Sequence, residues 1–301
     1  MLEKLPFRTF ILSAWQATLS KKLPWIFGTL LAIAGVIESR ISLTLPDTTS
    51  FPEFLNSISE KSEGALLSFL LIFVFLFGLE IFGKGNLIAS LSFVTGKTHL
   101  PSYPVNARAI GKNFIRTFSL ECLTLIFLLA VIGIFSLPFL IASSQNPGVM
   151  TTLLQLGFLA FIPIAIAIFF VSRFALFYLL LSPLKIRGSI ETGGALFSRF
   201  IFQSLLFGLF SFILTILFTF FVNTIILGIV TLSKKIGIPF EETSIALIVG
   251  LAFFTWFSIF QQALWLAFFK SIAGQDETTE FAKEKESVFD NHTLPETPPA
   301  Q

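Results

Sequence analysis

The sequence predicts an all-α, polytopic membrane bundle of six transmembrane helices, accompanied by interfacial amphipathic helices. Three observations predict it. Apolar residues make up 54% of the 301 and charged residues only 13%, with a mean hydropathy of +0.85; a soluble chain of this length needs far more polar surface. The apolar residues gather in runs of ~20 or more, long enough to cross a bilayer. Forty phenylalanines against two tyrosines favour rings that face lipid.

In chain order, residues 1–22 read as an interfacial amphipathic segment. Phe7, Phe10, Ile11, Ala14, Trp15 and Leu19 recur at helical spacing, with Arg8, Ser13 and Gln16 elsewhere. No apolar core followed by a small-residue cleavage site opens the chain, so no removable signal peptide is expected. Residues 23–273 read as the six-helix domain. Its first span is Leu23–Leu43, carrying Glu38 and Arg40, and a polar, acidic loop follows over 44–63. Gly64–Phe82 is the second span, closed by Glu80 and a turn at Gly83-Lys84-Gly85-Asn86. Leu87, Ile88, Leu91 and Val94 then predict a second, short amphipathic helix.

The third and fourth spans, Ile115–Ala142 and Thr151–Leu181, flank the polar turn Ser143-Ser144-Gln145-Asn146-Pro147-Gly148 and form the hairpin around which we expect the bundle to be organised. Ser189–Arg199 is a third surface segment. The fifth span falls within Phe200–Leu232 and the sixth within Ile245–Lys270. From residue 274 the composition turns to Glu, Asp, Thr, Lys and Pro, which predicts a disordered cytoplasmic tail to residue 301.

Orientation follows from the cations. One threading puts sixteen of the twenty Lys and Arg on one side and leaves Arg40, Lys61, Lys234 and Lys235 on the other. The positive-inside rule then places both termini in the cytoplasm of a multi-pass inner-membrane protein. Lys21, Lys112 and Arg199 each stand at the mouth of an odd-numbered span, behind a surface segment and before an out-and-back hairpin. That recurrence predicts a threefold hairpin repeat. Lys21, Lys22, Lys112, Arg116 and Arg199 are candidate contacts for lipid headgroups.

Two charges sit deep in the hairpin. In an antiparallel pair, residues at one depth have numbers that add to a constant, here about 294; Glu121 and Arg173 meet that condition, as do Arg116 and Tyr178. An unpaired charge in the membrane costs roughly 2.5–3.5 kcal/mol. The expectation is an intramembrane ion pair between Glu121 and Arg173, first as a clamp and second as part of a solute or proton pathway. Gln203, Asn223, Gln261 and Gln262 read as interhelical glue.

Catalytic patterns are missing. Gly96-Lys97-Thr98 resembles the end of a phosphate loop, but Leu91 stands where that motif needs glycine. His99 and His292 are isolated. The single cysteine, Cys122, excludes a disulfide framework and a multi-cysteine metal site. We expect no enzyme, no metal and no cofactor.

Three stretches carry a resemblance: Ala14-Trp15-Gln16-Ala17-Thr18 with Lys21-Lys22-Leu23-Pro24-Trp25-Ile26-Phe27-Gly28, then Gly83-Lys84-Gly85-Asn86-Leu87-Ile88, then Gly193-Gly194-Ala195-Leu196-Phe197-Ser198-Arg199. Together they resemble bacterial six-helix integral membrane proteins related to the membrane domain of glycerophosphoryl diester phosphodiesterases. In that family hydrolysis belongs to a separate soluble domain. The resemblance therefore implies a stand-alone membrane module and carries over no catalytic residue.

Two functions follow as expectations. The first is a non-enzymatic module whose partners are membrane lipids and other membrane proteins, with no nucleic acid. The second is a transporter or permease for a small or lipid-like solute, with its polar centre at Glu121 and Arg173. A water-accessible cavity beside those charges favours the second, and a sealed, close-packed pair favours the first.

Overall fold

A computed structural model describes residues 6–20, 22–44, 63–94, 107–142, 147–236 and 242–290, with side-chain surroundings mainly over 6–19, 22–37, 71–92, 108–136, 159–236 and 247–274. Among the described residues the chain is all-helical. The helices are α1 (Phe7–Ser20), α2 (Leu23–Thr44), α3 (Glu63–Val94), α4 (Ala107–Ala142), α5 (Pro147–Leu181), α6 (Ile186–Arg199), α7 (Ile201–Ile236) and α8 (Glu242–Asp290). Five of them hold a stretch long and apolar enough to cross a membrane, and α1 with α2 make a further candidate span bent by 98°. The chain is thus a multi-pass membrane protein.

α1 is two-sided, with Trp15 and Leu19 on its outward side rather than beside Phe10 and Ala14. Phe10, Ala14 and Ala17 are buried while Leu12, Trp15 and Leu19 face outward, and the buried side lies against α8. The sharp bend into α2 is held where Trp25 Nε1 donates to the Thr18 carbonyl at 2.9 Å. α6 is amphipathic. Ser189, Gly193, Leu196 and Phe197 are its buried positions, and a Cβ on Gly193 would lie 2.7 Å from the Ala175 nitrogen on α5.

The second span departs from expectation. Gly83-Lys84-Gly85-Asn86 forms no turn: α3 runs through it unbroken from Glu63 to Val94. Glycine inside a helix costs about 1 kcal/mol relative to alanine, which is why the sequence reads as a break. Tertiary packing offsets that cost. A Cβ on Gly83 would come within 3.1 Å of the Phe27 carbonyl on α2, and one on Gly85 within 2.4 Å of Thr117 Oγ1 on α4. The two glycines let α3 approach both neighbours, as small residues do between membrane helices. Leu87, Ile88 and Leu91, expected on a surface helix, are fully buried in the core. Residues 95–106, between α3 and Lys112, lie outside the described residues.

The two arms of the 115–181 hairpin differ: α5 belongs to the core and α4 lies at its edge. In the most apolar 18-residue window of each span, 6% is buried in Arg108–Ser136, against 44% in both Leu159–Leu181 and Leu247–Gly274. α8 is the hub, touching α1, α2, α3, α5, α6 and α7. Its Ile259, Phe260, Ala263, Leu264, Trp265, Leu266, Phe268 and Phe269 are buried around the full circumference, as a helix surrounded by others requires. Aromatic stacking ties α7 to it: Phe207 lies parallel to Phe268 at 4.0 Å and Phe218 to Phe257 at 4.0 Å. Such pairs contribute about 0.5–1.5 kcal/mol each beyond area burial.

α7 is 36 residues long, or ~54 Å, so it tilts within or projects beyond a ~30 Å hydrocarbon layer. α8 continues to Asp290, where composition from 274 onward predicts an unstructured tail. Ala, Glu and Lys are good helix formers and no Gly or Pro interrupts between Gly274 and Pro295. Lys21, His99, His292 and residues 45–62 of the expected loop lie outside the described residues.

Candidate functional site

Four helices converge on a polar cavity of about 300 Å³. α2 contributes Leu31 and Gly35, α3 Glu80 and Lys84, α5 Arg173, and α8 Ser258, Gln261 and Gln262. Local helix geometry explains the convergence. Glu80 and Lys84 are four apart and share one face of α3; Ser258, Gln261 and Gln262 are three and four apart on α8. Gly35 has open space where a Cβ would be, so the α2 wall leaves room.

Glu121 is paired with Lys84, not directly with Arg173. Lys84 Nζ donates to Glu121 Oε1, with 18% and 24% of the two side chains exposed. Arg173 instead donates from Nη2 to Gln262 Oε1 at 2.7 Å. Its guanidinium lies over Trp265 at 5.2 Å and near Phe177 at 5.7 Å, both cation–π distances. Glu121 acts on Arg173 as a neighbouring charge without bridging to it.

The depth argument holds in the one place where a bond tests it. Arg116 Nη1 donates to the Leu179 carbonyl at 2.8 Å across the hairpin, one residue from the Tyr178 that equal depth predicts. Depth sets height along the helix axes and says nothing of rotation about them. Glu121 is turned toward α3, whose unbroken course brings Lys84 inside the bundle.

Lys84 is the cavity residue that the sequence placed in a turn. Its signal was the Glu80/Lys84 spacing together with two flanking glycines. Gln262 behaves as the expected interhelical glue. Gln261 does too, donating from Nε2 to Thr215 Oγ1 at 3.2 Å, and Trp265 Nε1 donates to Ser211 Oγ at 3.1 Å, so both tie α8 to α7.

Arg173 differs from Lys84 in how its charge is met. Lys84 has a carboxylate in direct contact. The partner the structure gives Arg173 is a neutral amide, and its Nε is buried without an acceptor among the described residues. A guanidinium in that state keeps hydrogen-bonding capacity that a carboxylate could use, while aromatic rings hold it in place.

The candidate headgroup contacts are dispersed over separate helices. Lys22 and Lys112 are exposed, Arg116 is half-buried and spent on Leu179, and Arg199 is exposed with its guanidinium 5.7 Å from the Phe200 ring. Beside them on α6, Arg187 bonds Glu191 at 2.8 Å, and that carboxylate raises the guanidinium pKa further.

No protein-family model, curated protein or solved structure matches the chain. The chemistry of the cavity therefore rests on its own residues. Opposed charges, two amides and a hydroxyl can hold a small polar or charged group. Among the described residues no group of three His, Cys, Asp or Glu side chains is placed to hold a metal ion.

Proposed function

We propose that this chain is a six-span protein of a bacterial inner membrane, with both termini cytoplasmic, that binds and passes a small polar or lipid-like solute through the cavity at Lys84 and Arg173. One observation carries the reading: a void of about 300 Å³ adjoins Glu80, Lys84, Arg173, Gln261 and Gln262 between apolar helices. Ionisable groups inside a membrane are costly and face water-filled cavities or partners. A clamp needs the partner alone; here there is space as well. The bent α1–α2 pair supports the sixth span. Taking Lys84 out of the cytoplasmic loop leaves the excess of cations on that side nearly intact, which supports the orientation. We assign the protein no catalytic step.

The test is thiol accessibility. In a Cys122→Ala background, Ser258→Cys places a thiol on the cavity wall. A membrane-impermeant reagent added from the cytoplasmic side is expected to label it. A thiol that reacts only with lipid-soluble reagents sinks the solute-pathway reading.

The second reading, a lipid- or protein-interaction module, is favoured by the exposed cations Lys22, Lys112 and Arg199 at or near helix entries. The resemblance to the phosphodiesterase membrane domain fits either role. A sealed Ser258→Cys thiol combined with a stably co-purifying membrane partner selects the module.

A further inference from the structure

We infer that the solute is a single-chain amphiphile with an anionic headgroup, carboxylate or phosphate, whose head enters the polar cavity while its acyl chain lies in a groove between α5 and α7. This rests on the solute-binding reading of the polar cavity and names its ligand class.

On the other side of Gln261 lies a second, larger hollow of about 760 Å³. Ile166 and Phe169 of α5 and Leu209 and Phe212 of α7 form its sides, and Gln261 and Trp265 of α8 its floor. The side residues are exposed: Ile166 38%, Phe169 50%, Leu209 56% and Phe212 62%. In a membrane span these faces look onto acyl chains.

Gln261 lines both hollows. Trp265 floors the groove while lying against the Arg173 guanidinium that lines the cavity. An apolar trough open to lipid thus adjoins a polar chamber across two side chains of one helix. That continuity selects a molecule with an apolar end and a polar end.

The charge of the polar end follows from Arg173, which is met by an amide rather than a carboxylate, whereas Lys84 is already bridged to Glu121. Guanidinium is suited to carboxylate and phosphate oxygens. A small polar chamber suits one headgroup, and the trough supplies apolar contact along a chain. A comparison marks the difference: the hollow of about 540 Å³ between α4 and α5 is lined by Leu120, Phe127, Ile164 and Val171 with Thr124 and Ser172 as polar members, and no ionisable or amide side chain borders it. It offers a headgroup nothing.

The experiment is protection of the Ser258→Cys thiol in full-length protein, in phosphatidylcholine nanodiscs and the Cys122→Ala background. Exposed Ser198→Cys serves as the control for altered surface charge. Myristate and dodecyl phosphate are expected to slow labelling. At ten times the half-protecting concentration mass action leaves about one site in eleven free, so labelling slows roughly tenfold. Acetate, which is head alone, and myristyl alcohol, which lacks the charge, are expected to leave the rate unchanged. Leu209→Phe narrows the trough without touching the polar chamber and is expected to weaken protection by myristate while unprotected labelling stays the same. Arg173→Gln is expected to abolish it. Labelling that no amphiphile slows, or that the alcohol slows equally, overturns the ligand class and leaves the water-accessible cavity standing. A thiol that does not label at all overturns both.

Discussion

Replacing Lys84 with methionine tests the arrangement at its most consequential contact. The substitution keeps an unbranched, helix-compatible side chain and removes the cation, leaving the Glu121 carboxylate inside the bundle without its bridge. Breaking a buried pair costs about 3–5 kcal/mol, and an exposed one about 0.2–1 kcal/mol. With the two side chains 18% and 24% exposed, the pair stands nearer the buried limit, and Arg173 still supplies some compensating field. We expect a loss of about 2–3 kcal/mol, roughly 30- to 150-fold in the folded-to-unfolded ratio. Glu121→Leu, which leaves the Lys84 cation without its bridge, should cost a similar amount. The double change Lys84→Met with Glu121→Leu removes both charges and is expected within ~1 kcal/mol of the parent, because no uncompensated charge is left. The assay is reversible unfolding in mixed micelles, read as a double-mutant cycle. A parallel cycle between Arg173→Gln and Glu121→Gln should show a coupling below ~1 kcal/mol, since no direct bond joins them. Single effects that add to within ~0.5 kcal/mol in the first cycle, or a larger coupling in the second, would refute the pairing.

Three further outcomes follow from packing. Gly193→Val is expected to prise α6 from α5 at a cost of at least ~2 kcal/mol, because the new Cβ would meet the Ala175 backbone at 2.7 Å, which cannot swing aside; a melting temperature unchanged in detergent contradicts this. Thr117 Oγ1 is buried without a hydrogen-bond partner, so Thr117→Val should be neutral or stabilising by about 1 kcal/mol, and a clear loss in thermal unfolding means the hydroxyl has an acceptor. Trp265→Phe removes the bond to Ser211 and the better cation–π face beneath Arg173, with an expected loss of about 1–2 kcal/mol; unfolding indistinguishable from the parent argues against both contacts.

The membrane class, the helical content and the helical segments at 7–20 and before Phe200 were legible in the sequence. Each depends on one-dimensional information: the length of an apolar run, its period, or a local change in composition. Equal depth across the 115–181 hairpin was legible too, and the Arg116–Leu179 bond fits it at the end of the hairpin away from its turn. The helix through Gly83 and Gly85 was illegible because glycine carries opposite meanings in a turn and at a helix contact. Only the neighbours 3.1 Å from Gly83 and 2.4 Å from Gly85 decide between them.

By itself, then, the sequence determined that this chain crosses a membrane several times as helices and that Glu121 and Arg173 lie within two of its long apolar helices. Hydrophobicity and helical rise are properties of the chain alone. The tertiary structure decided that α8 is the hub, that Lys84 rather than Arg173 bridges Glu121, and that Arg173 with Gln262 borders a cavity. Those outcomes depend on the rotation of each helix about its axis and on which helices are neighbours. Both are set by the simultaneous fit of all the helices, which no local pattern encodes.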